Sequence, residues 1–359
     1  MSAIQKLQML GSAGKYDICS GCARTYDSMI YQAKTPTGCV PILKTLMTNE
    51  CSLDCKYCAN PVSKSKASLE PEELARVFFG LVKQRKVQGL FLSSAINRDP
   101  DFSMERIIEC AGIVRMKYGF SGYIHLKVLP GSSRESVKKA AELADRLSIN
   151  LEAPSSGVMS EIAPSKDYNI DLLRRQDWIA EESRMLKSGH TTQFIVGASG
   201  ESDSDILHSL VSSYERTGLK RGYFSAFRPV PGTALEAVPA ASKKREFRLY
   251  QSDWLLRVYG FDLSAFAPVF NDSGFLPNED PKLLLAREFL EPVDPGIAPY
   301  HELLKVPGIG PKTARNIIAE RKIGKLDKKR LAGSGVILKR ALPFLEINGV
   351  HQARLSQWA

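Results

Sequence analysis

The stretch TLMTNECSLDCKYCANP, residues 45–61, decides how the rest of the chain is read. It ends an apolar run and sets Cys51, Cys55 and Cys58 at C-x3-C-x2-C spacing. Three thiols so close together, on a loop leaving a strand, can wrap one soft metal centre. A structural zinc site asks for four ligands, usually in two separated pairs. Three thiolates on a 4Fe–4S cluster instead leave one iron open, and a substrate or cofactor can coordinate there.

Outward from this loop the chain alternates short apolar runs with amphipathic segments. Strands are predicted at Val40–Thr48, Gly89–Ser94, Tyr123–Leu129, Ile149–Ala153, Thr191–Gly197 and Gly222–Phe227. Each is bounded by turn or polar residues and is too short for a helix. Helices are predicted over 71–86, 104–117, 134–146, 170–187, 202–217 and 242–259, the first opening on Pro-Glu-Glu. Such alternation implies a parallel α/β sheet, and both an open doubly wound sheet and a barrel fit it. In either architecture reactive groups belong at the C-terminal ends of the strands.

With the strand context in place, C-x3-C-x-aromatic-C, with Tyr57 before the last cysteine, resembles the radical S-adenosylmethionine (SAM) superfamily. The resemblance implies a partial (β/α)6 barrel and a 4Fe–4S cluster on Cys51, Cys55 and Cys58. It implies that the open iron holds SAM, and that reduction cleaves SAM to methionine and a 5′-deoxyadenosyl radical. TTQFIVGASGESD (191–203) resembles the fifth-strand adenine region, with Gly197 for close backbone approach and Glu201 shaping the loop. Glu152, ending the fourth predicted strand, sits where members bind the ribose hydroxyls. YFSAFRPVPGTALE (223–236) resembles the sixth-strand exit of biotin synthase-like members. One departure stands out. Many members place Gly-Gly-Glu after the second strand to receive the SAM amino group; this chain has Leu92-Ser93-Ser94-Ala95, which leaves that bond to serine hydroxyls, Ser93 among them, or backbone carbonyls.

The charge is unevenly placed. The whole chain carries +10, yet residues 301–359 alone hold 12 Lys/Arg against 4 Asp/Glu. A near-neutral body with a basic tail points to a polyanion partner. Within that tail, HELLKVPGIGPKTARNIIAERK (301–322) reads as helix, Pro-Gly-Ile-Gly turn, helix. It resembles the helix-hairpin-helix DNA-binding motif. Gly308 and Gly310 permit a tight turn, and the N–H groups at the following helix start suit an anion. Lys312, Thr313 and Arg315 stand beside it. Leu331–Ala341 reads as a degenerate second hairpin. Such a motif grips phosphates without reading bases.

These features organise the chain as a cysteine-containing extension (1–39), a radical SAM barrel with covering helices (40–290), a Pro-rich linker (291–299) and a small all-α helix-hairpin-helix domain (300–359). The combination resembles a small family of DNA modification or repair radical SAM proteins. That resemblance also implies an electron donor and an iron–sulfur partner like uracil-DNA glycosylases. KYDIC (15–19), LKTLMTNEC (43–51), QGLFLSS (88–94) and YIHLKVLPG (123–131) carry it, together with the hairpin. Lys127 and Arg228, at strand ends, are candidate catalytic or anion-binding residues. His125 and Lys127 share one face of their strand. Cys19, Cys22 and Cys39 form a candidate second metal site, and Cys110 reads as a core residue.

Competing readings are a radical SAM enzyme on a small molecule or protein, its tail a docking module, and a non-catalytic iron–sulfur repair protein. No apolar run is long enough to span a bilayer and no signal-peptide core opens the chain, so a cytoplasmic protein with no membrane partner is expected.

Overall fold

Residues 1–13, 29–35 and 38–351 are described in the computed structural model of the protein. Cys19 and Cys22 lie outside them. The chain divides into two compact units, 1–201 with 208–246, and 202–207 with 247–359.

The first unit is built on α1 (Ala3–Ala13), β1 (Ile30–Thr35), β2 (Gly38–Leu46), α2 (Ala59–Val62), α3 (Pro71–Lys83), β3 (Gly89–Ser93), α4 (Pro100–Gly112), β4 (Tyr123–Lys127), α5 (Arg134–Leu143), β5 (Arg146–Ser148), α6 (Ser156–Ile162), α7 (Arg174–Glu181), β6 (His190–Val196) and β7 (Arg221–Ala226). Two helices, α8 (Asp203–Thr217) and α9 (Lys243–Tyr259), run across the division between the units. The seven strands lie in sequence order, β1 antiparallel to β2 and β2 to β7 all parallel. Among the described residues no ladder joins β7 back to β1 or β2, so this is an open half-barrel of six parallel strands with one antiparallel edge.

Side-chain alternation makes the two faces of this sheet different. On β4, Ile124 and Leu126 are fully buried while Tyr123, His125 and Lys127 keep partial exposure. On β7, Gly222, Phe224 and Ala226 are buried and Arg221, Tyr223 and Ser225 are not. The helix-facing side is therefore apolar and the concave side polar. Helix starts are fixed chemically: Pro71 opens α3 behind a Glu70–Glu73 capping box, and Asp99 accepts the Phe102 N–H at 2.8 Å to start α4. Among the described residues no helix is long and apolar enough to cross a membrane.

Two expectations change here. The strand foreseen at Ile149–Ala153 sits three residues earlier, as β5. Glu152 has φ +62°, a left-handed conformation that no strand holds, so residues 149–153 leave the ladder with a single bridge to Phe194. The edge strand β1 was not foreseen, because the sequence there lacks a sustained apolar run.

The second unit contains α10 (Pro281–Phe289), α11 (Tyr300–Lys305), α12 (Pro311–Glu320), α13 (Lys328–Gly333) and α14 (Leu338–Ala341). It is not all-α: β8 (Glu346–Ile347) and β9 (Val350–His351) pair antiparallel. The reason is local, since Asn348 (φ +53°) and Gly349 (φ +75°) form the turn that favours a tight hairpin. Residues 291–299 run against this unit's core, with Val293 bridging to Leu345 and Ala298 buried.

Phe194 on β6 is fully buried and stacks with Phe224 at 6.3 Å. Phe194→Ala is expected to cost about 3–5 kcal/mol, read as a lower thermal midpoint. Met116→Ala, at a position 80% exposed, should change stability by less than about 0.5 kcal/mol.

Candidate functional site

The loop after β2 is held by backbone bonds to its neighbours before any ligand is considered. Met47 N–H donates to the Ser93 carbonyl at 2.8 Å, and Ala95 N–H to that of Thr48 at 3.0 Å. Ser52 N–H donates to the Ile96 carbonyl at 2.8 Å, and Lys56 N–H to that of Ile162 at 2.9 Å. The buried Asn49 side chain closes the far flank, donating to the Ser65 carbonyl and accepting the Ala67 N–H, each at 2.8 Å.

So held, Cys51, Cys55 and Cys58 line one cavity at the C-terminal end of the strands. Tyr57, Ser93, Lys127, Glu152 and Arg228 line it too. The face shared by His125 and Lys127 is thus the concave one. Gly197 and Glu201 are not in the lining. They build the loop after β6: the buried Glu201 carboxylate accepts the Gly197 N–H, the Ser199 N–H at 3.1 Å and the Ser199 hydroxyl at 2.9 Å. Arg245 donates to the Glu201 carbonyl at 2.7 Å. Gly197 has φ +83°, and a Cβ there would lie 2.7 Å from Ala241 Cβ.

Several pocket residues escaped the sequence reading. Asn150, Gln193 and Ser225 line the cavity. Strand alternation alone could have placed Gln193 on the concave face; nothing in spacing marks the others. Lys166 is the least legible, lying more than a hundred residues beyond the cysteines. Its ammonium donates to the Tyr57 hydroxyl at 3.1 Å and hydrogen-bonds the Cys55 thiol. Burial pulls the ammonium down, but charge on Cys55 and Glu152 outweighs this and holds it above the usual lysine value. Burial, with Glu152 and the cysteines, pushes the Tyr57 phenol well up, so it stays neutral. Burial likewise raises the Cys55 thiol, and lifts that of Cys58 to about 12. A metal centre that replaces those protons removes this penalty.

The donor set, three thiols lining one cavity, suits an iron–sulfur cluster. Among the described residues no group of three or more His, Cys, Asp or Glu is placed to hold one metal ion. A mononuclear tetrahedral site needs sulfurs about 3.8 Å apart, from Zn–S bonds of about 2.3 Å. A cubane binds each thiolate to a different iron and so asks for thiols that share a cavity. Cys58 Sγ also accepts the Asn60 N–H at 3.4 Å, the kind of bond that tunes a cluster sulfur. The remaining polar lining suits SAM: Ser93, Asn150, Glu152 and Gln193 offer acceptors and donors, Lys127, Lys166 and Arg228 suit a carboxylate, and Ile96, Val128 and Ile195 offer an apolar wall. The proposed second metal site gains no support: Cys39 is exposed on β2 and belongs to no metal-binding group among the described residues. Cys110 is fully buried on α4.

In the second unit, α11, the turn 306–310 and α12 form a helical hairpin. Leu303, Val306, Ile309, Ala314 and Ile317 are buried in its core, with Ile318 packed at the edge. Gly308 has φ +85°, and a Cβ there would lie 2.8 Å from the Ile337 carbonyl. Ile337 N–H donates to the Gly308 carbonyl at 3.1 Å. Gly310 caps α12, with Pro311 in its first turn. Lys312 and Arg315 are exposed on α12, while Thr313 donates to the Gly335 carbonyl at 3.3 Å. Gly335 (φ +93°) turns the chain between α13 and α14, a second helical hairpin.

Residues 45–211 match the Radical SAM superfamily. They form a radical SAM superfamily domain, in a superfamily of enzymes. One solved structure supports the fold, and two more are similar to the chain. HydG, a maturase of the [FeFe]-hydrogenase, is 14% identical over 60% of this chain and 49% of its own, with a TM-score of 0.50. HydG from Carboxydothermus hydrogenoformans is 12% identical over 60% of this chain and 51% of its own, with a TM-score of 0.47. Methylornithine synthase (PylB) is 15% identical over 60% and 61%, with a TM-score of 0.48. The chain thus spans about half the length of the HydG structures it matches. No curated protein matches the chain significantly.

Glu201 is 4% exposed and satisfies three donors with its carboxylate. Glu201→Ala should therefore cost about 1–3 kcal/mol, measured by thermal unfolding, because buried N–H groups lose their acceptor.

Proposed function

We propose that the chain is a cytoplasmic radical SAM enzyme acting on nucleic acid, DNA before RNA, in its modification or repair. The observation that carries the enzymatic part is the convergence of Cys51, Cys55 and Cys58 with Ser93, Glu152 and Lys166 on one cavity at the strand ends. Bound there, a 4Fe–4S cluster would supply one electron, received from an external donor, for reductive cleavage of SAM to methionine and a 5′-deoxyadenosyl radical.

The chain's own groups do the rest by placement. Cys51, Cys55 and Cys58 would hold the cluster, and the Asn60 N–H, which donates to the Cys58 sulfur, would steady it. Lys166, donating to Tyr57, keeps a positive charge beside the thiolates and offsets part of their negative charge in a site removed from water. Glu152 lies beside Asn150, whose amide donates to it at 3.1 Å, and this pair offers both a donor and acceptors to ribose hydroxyls. Ser93 takes the place of the missing Gly-Gly-Glu. Arg228 is exposed at the rim and suits a substrate phosphate.

The nucleic-acid part is supported by the basic excess of residues 301–359 and by the hairpin within it. The N-terminus of α12, with Lys312 and Arg315 beside it, suits a backbone phosphate. A base in a duplex would have to be flipped out to reach the half-barrel. An iron–sulfur partner resembling uracil-DNA glycosylases fits the same reading.

The test is anaerobic. Protein reconstituted with iron and sulfide, reduced and given SAM, is expected to release 5′-deoxyadenosine, faster with DNA, and Cys55→Ala to release none. No release from a cluster-loaded, reduced protein, with or without nucleic acid, would sink the enzymatic reading. Binding of a DNA duplex should weaken steeply with salt, and Lys312→Ala should reduce the slope of log K against log salt by about one. Affinity indifferent to salt would remove the nucleic-acid half.

A further inference from the structure

The second unit holds a buried cation that its own fold does not neutralise. Lys282, in the first turn of α10, is 8% exposed. Its ammonium donates to the Ile309 carbonyl at 2.6 Å and lies 4.6 Å from the centre of the Tyr259 ring. Ile309 stands between Gly308 and Gly310, at the tip of the hairpin turn. An ammonium has three donors, and one carbonyl and one ring face leave it short of partners. No carboxylate lies within ion-pair distance of it among the described residues. Asp280 is the nearest acid, but its Oδ2 accepts from Arg340 at 2.5 Å and its Oδ1 from the Lys282 backbone N–H at 2.9 Å. Buried charges are normally paired, and an unpaired one costs stability.

We propose that Lys282 is a positioning residue for an anion site at this hairpin. Through the Ile309 carbonyl it fixes the turn, and it places a positive charge behind the N–H groups that start α12, for which a nucleic-acid phosphate is the missing counter-charge. This rests on the nucleic-acid reading above and names a residue for it. The sequence hides it, because Lys282 lies 25 residues before the Pro-Gly-Ile-Gly turn.

Titration gives the inference a signature. Burial pulls the Lys282 ammonium down to about 7, with Asp280 acting against this and Arg340 with it. Tyr259, the aromatic partner, is itself pushed up and stays neutral there. An incoming phosphate favours the charged lysine, so binding takes up a proton. The contribution of Lys282 to affinity is then full below about pH 7 and lost as pH rises above it.

The experiment measures affinity of the full chain for a fluorescein-labelled DNA duplex from pH 6 to 9, with Lys282→Met and Lys282→Arg variants. Lys282→Met is expected to weaken binding about tenfold at pH 6.5 and to lose most of the pH dependence. Lys282→Arg, charged throughout, should hold its affinity to pH 9. Salt-independent or absent binding by the unaltered chain would take down the nucleic-acid reading and this inference with it. Normal binding by the unaltered chain, with Lys282→Met matching its affinity and pH profile, would overturn the inference alone. Should Lys282→Met fail to fold, calorimetry of the unaltered chain in buffers of different ionisation enthalpy decides. Proton uptake on binding near pH 7 upholds the inference and its absence overturns it.

Discussion

The cysteine loop can do chemistry only if it is rigid before any cofactor arrives. Its rigidity comes from edge-to-edge hydrogen bonding at the C-terminal ends of β2 and β3, where the backbones of 47–48 and 93–95 exchange bonds just beyond the ladder. The loop is then clasped a second time, at Ser52 by Ile96 and at Lys56 by Ile162. These bonds join the end of β2 to the segments leaving β3 and β5. The three sulfurs therefore inherit their spacing from the sheet. In a parallel sheet every such segment leaves at the same end, which is why one edge can carry a whole site.

That dependence explains the polarity of the half-barrel. A closed barrel would fill its interior with packed side chains. Here the sheet ends at β1 and β7, and the concave face carries His125, Lys127, Gln193 and Ser225 in place of a second core. The apolar demand is met mainly on the helix side, by Ile124, Leu126, Phe194 and Phe224 among others. One face thus provides stability and the other is left free to bind.

The sequence made the architecture legible because both signals are periodic or local. Alternating apolar runs located five of the six parallel strands, and the cysteine spacing picked out three residues that line one cavity. Ser93, Lys127, Glu152 and Arg228 followed because strand ends are where such folds place reactive groups. What escaped depends on tertiary contact. Lys166 reaches the cysteines only through the fold, and no periodicity announces it. β5 was misplaced because the apolar run Ile149–Ala153 is buried without being a strand, Leu151 and Ala153 packing while Glu152 turns left-handed. The same blindness hid Lys282. Proline density drew the eye to 291–299, while the group that touches the hairpin sits before it.

Buried charges sort themselves by how completely they are answered. Glu201 collects two N–H groups and a hydroxyl, and Arg245 lies near. Arg175 donates to the carbonyls of Gly131, Ser132 and Ile170. Both are satisfied by groups the fold supplies, and removing either partner would leave the rest exposed to desolvation cost. Each therefore holds a loop in place and asks nothing of a ligand. Lys282 is answered by one carbonyl and a ring face, so its charge is costly in the free protein and becomes less so when an anion approaches. A fold that keeps such a residue gives up some stability at neutral pH. If Lys282 serves an anion site, the compensation comes from the bound state, at the turn whose Ile309 carbonyl it touches.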